Sequence, residues 1–162
     1  MNNFVKRTIS GVGFAAIMLA AFLTNKYVYG VVMLFSLIVM IKEFLNITCG
    51  KNYRYSQILT IFSGAVLFTL LYLFKACNFP GRLVILAFVP VFILMINSLY
   101  LKDKSRFDKF ANLYAALLYI AVPWSLLNFA VFNAAGEFNG ILLLCFFCII
   151  WGTDVGAYLF GI

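Results

Sequence analysis

The sequence predicts an all-α, polytopic membrane protein with about six transmembrane helices and a cytoplasmic N-terminus. Three observations carry that expectation. Of 162 residues, 65% are hydrophobic and 10% charged, where soluble domains carry roughly a quarter of their residues charged; the mean hydropathy is +1.06. Apolar runs of about 20 residues, enough at ~1.5 Å rise to cross a ~30 Å hydrocarbon layer, recur along nearly the whole chain. The runs lack a membrane barrel's alternation, and backbone amides cannot stay unpaired in lipid, so the spans are helices.

The polar breaks delimit the spans in order. The first, Ser10–Thr24, follows Lys6 and Arg7. It reads as a retained anchor, because "AAFLTNKYVYG" offers no A-x-A cleavage site and leads straight into another span. The second, Tyr27–Ile47, ends in "MIKEFLNI", and the third, Ile58–Phe74, lies between the breakers "CGKNYR" and "KACNFPGR". The fourth, Leu83–Leu101, holds Pro90 and the fifth, Ala111–Phe132, holds Pro123; each proline frees a carbonyl and favours a kink. The sixth, Gly140–Ile162, follows the acidic loop "NAAGEFN". No soluble domain and no internal repeat separates them.

Twelve Lys plus Arg against five Asp plus Glu give a net charge of +7. In a soluble protein that balance would suggest nucleic acid. Here the cations sit in short loops, where they read as topology and contact with anionic headgroups, with no nucleic-acid partner. With the N-terminus inside, Lys6, Arg7, Lys42, Lys51, Arg54, Lys102, Lys104, Arg106 and Lys109 are cytoplasmic, and only Lys26, Lys75 and Arg82 are outside. The densest segment, "LKDKSRFDKF", is a topology signal at the membrane surface, or alternatively an attractor of lipid or nucleotide phosphates. No GxxxxGK[ST] or GxGxxG loop occurs. The chain has no His, so the usual general base and commonest metal ligand are missing. Cys145 and Cys148 form a CxxC in mid-span without polar neighbours in sequence, and behave there as small hydrophobes.

Any chemistry therefore rests on carboxylates, lysines, hydroxyls and imported metal. Asp154 lies within the sixth span, and an Asp at a helix centre costs about 2.5–3.5 kcal/mol on insertion scales, so it needs a compensating role. From Gly140 it lies about 20 Å into the core, roughly 10 Å from the cytoplasmic edge, within reach of water and metal. At 100° per residue Trp151, Asp154, Tyr158 and Gly161 share one side, while Gly152 and Gly156 fall opposite as a GxxxG that admits a close-packed helix. With both sides used, Asp154 faces an interior cleft bordered by aromatics. Glu43, at the cytoplasmic end of the second span, either faces the same cavity or pairs with neighbouring Lys42 at the interface, where an ion pair contributes under ~1 kcal/mol.

The stretch "WGTDVGAYLFGI" resembles the phosphatidate cytidylyltransferases, the CDP-diacylglycerol synthases. Trp151, Asp154, Gly156, Ala157, Tyr158 and Gly161 match that family's W-x-x-D-x-G-A-Y-x-x-G segment, "KRTISG" is compatible with its opening, and Glu43 matches an acid at the end of its second span. The resemblance implies transfer of cytidylyl from CTP to phosphatidate, giving CDP-diacylglycerol and pyrophosphate. It further implies a divalent metal, magnesium, held by Asp154, with Tyr158 and Trp151 packed around the nucleotide site. The implied setting is a bacterial cytoplasmic membrane with the active side facing the cytoplasm, and a homodimer is compatible with the glycine face.

The family continues with an S-P-x-K-T-x-E-G type segment and a later G-H-G-G-x-x-D-R run, neither of which is present in these 162 residues. Residues 1–162 are thus expected to be the N-terminal transmembrane portion of a longer enzyme, inactive alone. Competing classes are a transporter using Asp154 as an ion site, a structural membrane subunit in which it fixes helix packing, and a CTP-using lipid kinase.

Overall fold

The computed structural model describes residues 3–50, 54–99 and 107–160, with side chains from residue 11 onward except those of 107–109, 158 and 159. Eight helices follow in order among the described residues: α1 (Asn3–Leu23), α2 (Lys26–Cys49), α3 (Arg54–Ala76), α4 (Phe88–Leu99), α5 (Phe107–Ala116), α6 (Val122–Leu126), α7 (Asn128–Val131) and α8 (Ile141–Phe160). A 3-10 stretch, Gly81–Ala87, leads into α4, and a π turn, Leu117–Ala121, joins α5 to α6. Among the described residues four segments are long and apolar enough to cross a membrane: Lys26–Cys49, Arg54–Ala76, Gly81–Leu99 and Phe110–Val131. Gly11–Leu23 and Ile141–Ala157 are shorter apolar helices. The chain is an all-α, polytopic membrane protein, and the six expected spans correspond to these four plus two.

The prolines mark where helical geometry changes rather than simple bends. Pro90 is the third residue of α4, directly after the 3-10 stretch. Pro123 is the second residue of α6, which follows directly on the π turn. A proline cannot donate to the carbonyl four residues back, and its ring crowds that carbonyl, so the preceding turn rewinds.

Successive spans run antiparallel, as two sets of end contacts show. At one end Asn25 caps α2, its Oδ1 accepting from the amides of Tyr27 and Val28 at 3.0 Å. There the Tyr72 hydroxyl donates to the Lys26 carbonyl (2.8 Å) and Lys26 Nζ to the Ala76 carbonyl (3.3 Å). Gly136, at φ +80°, lies against the Lys75 carbonyl, so the turn between α7 and α8 gathers at this same end. At the other end Gln57 Nε2 donates to the Gly50 carbonyl (2.7 Å) and Asn97 Nδ2 to Ser56 Oγ (2.9 Å). Lys26 and Lys75 thus share one end, and Arg54 stands at the other. The cationic segment over residues 100–106 lies outside the described residues, as do Lys51 and the Lys6 and Arg7 side chains.

The centre of the bundle is α2. Its buried residues, Tyr29, Met33, Leu37, Ile41, Leu45 and Cys49, recur every fourth position. Four residues turn the helix through about 400°, so the row advances ~40° per step and wraps around the axis. One helix therefore meets α1, α3, α5 and the π turn along its length. Its other side, including Val31 and Phe35, is exposed, as befits a surface bathed in lipid.

Helix α3 packs on that row with a face that includes Ser56, Gln57, Thr60, Ser63 and Gly64. Gly64 is where it comes closest: an added Cβ would meet Ile41 Cδ1 at 2.6 Å and Ala121 Cβ at 3.3 Å. The hydroxyls of Thr60 and Ser63 donate back to the Ser56 and Leu59 carbonyls at 2.9 and 2.7 Å, so small polar residues line a close helix contact without unmet hydrogen bonds.

Candidate functional site

Helix α8 is fixed by its first half. Asn139 Oδ1 accepts from the Ile141 amide at 3.0 Å and caps the helix. Gly140 lies directly against the carbonyl of Phe22 at the end of α1, an approach that a side chain would forbid. One turn on, Leu143 is buried. Phe147 then packs on the Phe22 ring with centroids 5.1 Å apart, and Trp151 stands edge-on to Phe147 at 6.1 Å. Phe22 in turn adjoins Tyr29, which touches Phe132 and Phe138. This aromatic cluster joins the start of α2, the end of α1 and the turn before α8.

That turn is self-braced. Asn133 Oδ1 accepts from the amides of Ala135 and Glu137 at 2.9 Å, and Asn133 Nδ2 donates to Glu137 Oε2 at 2.8 Å. The acidic loop of the sequence is therefore a compact hairpin, closed by pairing of Phe132 with Phe138.

Beyond Trp151 the helix leaves the bundle. Asp154 is exposed, with no hydrogen bond or ion pair among the described residues. Among the described residues no other packed atom lies within 4 Å of where a Cβ would stand on Gly152 or Gly156. The interior cleft expected around Asp154 is not formed by the described residues, because α8 packs mainly on α1 and α7 through its first half. Helical spacing keeps Trp151, Asp154 and the Tyr158 backbone position on one side; the Tyr158 side chain and Gly161 lie outside the described residues.

Glu43 is exposed on α2, two residues from buried Ile41 and hence on the opposite side of that helix. The described structure does not bring it into an enclosed cavity with Asp154. No group of three His, Cys, Asp or Glu that could hold a metal ion occurs among the described residues. Cys145 and Cys148 are free and exposed on the apolar surface of α8.

What sequence reading missed are buried polar groups inside the spans: Ser56, Gln57, Thr60 and Ser63 on α3, then Ser125 and Asn128. The α3 set was visible as polar residues three and four apart in an otherwise apolar run. Among the described residues, Tyr29 Oη, Ser125 Oγ and Asn128 Oδ1 are buried without a hydrogen-bond partner.

Antiparallel apolar helices define a multi-pass membrane protein, and the last described helix carries the exposed carboxylate of Asp154, unpaired among the described residues. The chain belongs to the cytidylyltransferase family, whose model matches residues 5–162. No curated protein and no solved structure matches it. Family membership supports a CTP-using cytidylyl transfer carried out by a membrane-embedded nucleotidyltransferase, and agrees with the resemblance carried by Trp151, Asp154, Gly156 and Tyr158.

Proposed function

We propose that the protein transfers cytidylyl from CTP to phosphatidate, giving CDP-diacylglycerol and pyrophosphate for phospholipid synthesis. The observation that carries this is the family match over residues 5–162, with Asp154 inside a W-x-x-D-x-G-A-Y segment. A phosphate oxygen of phosphatidate attacks the α-phosphorus of CTP as the bond to the pyrophosphate oxygen breaks. No protein nucleophile is required, so a chain without His suffices.

On this reading Asp154 faces the cytoplasmic side, where most of the cations lie, and water-soluble CTP meets a lipid acceptor there. The residues fit a hard divalent cation in part. Asp154 is an oxygen donor with no Lys or Arg paired to it among the described residues, and magnesium commonly takes one or two carboxylates, completing its shell with substrate phosphates and water. Bound there, magnesium would neutralise charge on the phosphates. Trp151, held by Phe147, keeps the Asp154 side of α8 in place, and Tyr158 continues the same side. Glu43 is a second acid toward the same membrane face. Gly152 and Gly156 receive a close-packed helix from a second copy or from another segment of the full-length protein. One carboxylate does not clamp a metal triphosphate, so residues 1–162 alone do not turn over.

The test is conversion of labelled CTP and phosphatidate to CDP-diacylglycerol by the full-length protein in the presence of magnesium. Asp154→Asn is expected to lower turnover by at least ~10²-fold, with membrane insertion unchanged. Wild-type turnover in that variant would remove Asp154 from the site. Phosphorylation of diacylglycerol in place of cytidylyl transfer would instead identify a lipid kinase.

A further inference from the structure

In the fifth span the helix changes pitch twice. The Val122 amide donates to the Leu117 carbonyl five residues back, closing the π turn, whereas the Leu127 amide donates to the Trp124 carbonyl only three back, at 3.3 Å. Around these joints α6 and α7 lie along α3. Pro123 contributes no amide hydrogen to the stretch. Its far end is tied down, since the Asn139 amide donates to the Val131 carbonyl at 2.8 Å and Phe132 pairs with Phe138.

The side of this stretch turned into the bundle is polar. Val122, Leu126 and Phe129 are exposed, whereas Ser125 and Asn128 are 0% exposed. Tyr29 of α2 stands level with them: Trp124 bonds the carbonyl of Met33, one turn along α2, and Phe132, one turn past Asn128, packs on the Tyr29 ring at 6.0 Å. Among the described residues Tyr29 Oη, Ser125 Oγ and Asn128 Oδ1 have no partner, and no gap as wide as a water molecule adjoins them.

Inside a membrane, helices are held together by packing and hydrogen bonds, with little hydrophobic drive between them. On α3 the Thr60 and Ser63 hydroxyls stay bonded at the helix contact. Here three polar groups are dry and unmet, and each forfeits its hydration without return. Among the described residues one side-chain hydrogen bond, Trp124 to Met33, fastens the stretch to α2. We infer that residues 122–131 form a movable strap, held at the π turn and at the hairpin before α8, which bows away from α2 and α3 and lets water reach Tyr29, Ser125 and Asn128. The strap lies toward the end of the bundle that holds Lys26 and Lys75, and Phe129 adjoins Lys75 there, its ring centroid 4.6 Å from Nζ. Water at that end supplies the partners that the closed strap denies. The device is independent of the transfer chemistry.

Amide hydrogen exchange of the full-length protein in nanodiscs, read peptide by peptide, provides the test. Amides of residues 122–131 are expected to exchange more than about ten-fold faster than those of residues 59–69 on α3, because each unmet group favours opening. Tyr29→Phe and Ser125→Ala each remove one unmet hydroxyl and keep the rest of the side chain, so each should slow exchange in the strap by about ten-fold; should one variant fail to give monodisperse protein, the other carries the test. Ser63→Ala, which removes a hydroxyl bonded to the Leu59 carbonyl, should give no such slowing, and Trp124→Phe should speed exchange in the strap. Strap exchange no faster than that of α3, or exchange left unchanged or speeded by loss of the Tyr29 and Ser125 hydroxyls, would overturn the inference.

Discussion

Replacing Gly140 by alanine should damage the protein more than the loss of any hydrogen bond described above. The added Cβ would fall onto the carbonyl oxygen of Phe22, with the Phe22 carbonyl carbon and Cα each at 3.0 Å. These are backbone atoms at the end of α1, so no side chain can rotate away. Overpacking of this kind costs typically ~1–3 kcal/mol, and alanine returns only about 0.4–1 kcal/mol through a stiffer unfolded chain. Separation of α8 from α1 would also loosen the Phe22–Phe147 ring pair, worth about 0.5–1.5 kcal/mol. The net expectation is a loss of roughly 1–3 kcal/mol, or several degrees in Tm at about 2–4 °C per kcal/mol. Thermal unfolding in nanodiscs measures it, with Gly152→Ala as the comparison. At Gly152 nothing stands within 4 Å, and alanine in a helix gains up to about 1 kcal/mol over glycine. Gly140→Ala at or above wild-type Tm would refute the close approach of α8 to α1. A large loss at Gly152→Ala would show instead that the glycine side is packed against another helix, as the proposed second copy or further segment requires.

Other measurements bear on the remaining features. Cys77 is free, exposed and follows α3 at the end that holds Lys26 and Lys75. In intact cells it should react with a membrane-impermeant maleimide applied from outside, while Cys145 and Cys148 within the span stay unlabelled; labelling of Cys77 only from the cytoplasm would reverse the orientation. Trp124 Nε1 donates to the Met33 carbonyl at 2.9 Å, so Trp124→Phe should lower stability by about 0.5–1.5 kcal/mol without affecting insertion. Asn97→Ala removes the donor to Ser56 Oγ and should cost ~1–2 kcal/mol, since the buried hydroxyl loses a partner; equal stability would mean that α4 is held by apolar contact alone.

The number and order of spans were legible because each is an apolar run closed by charges or turn residues. Their ends were less so. Span three was read from Ile58, yet α3 begins at Arg54, because Ser56 and Gln57 look like loop residues and are in fact buried helix contacts, satisfied by Asn97 and Gly50. Proline positions announced irregular backbone, but sequence spacing does not distinguish a bend from a π turn, which depends on how the neighbouring helix fills the widened backbone. Asp154 was legible as an acid out of place, and its surroundings were not. A helical wheel assigns sides to a helix but says nothing of whether a partner stands beside each side. The described half of α8 that carries Asp154 has none, while the half that lacks polar side chains is the one docked.

The seating of Gly140 on Phe22 has a consequence for the order of events during synthesis. It joins α1 to the start of α8 across more than a hundred residues of chain. At ~5–20 residues per second a ribosome needs on the order of ten seconds to cover that distance. Throughout that interval the far end of α1 has α2 beside it but not the helix that will cover Phe22, so an aromatic ring waits in the bilayer for a partner not yet made. Docking of α8 on α1 thus waits for all the intervening helices to be made, and anything that occupies the face of Phe22 in the meantime competes with assembly rather than with the finished protein.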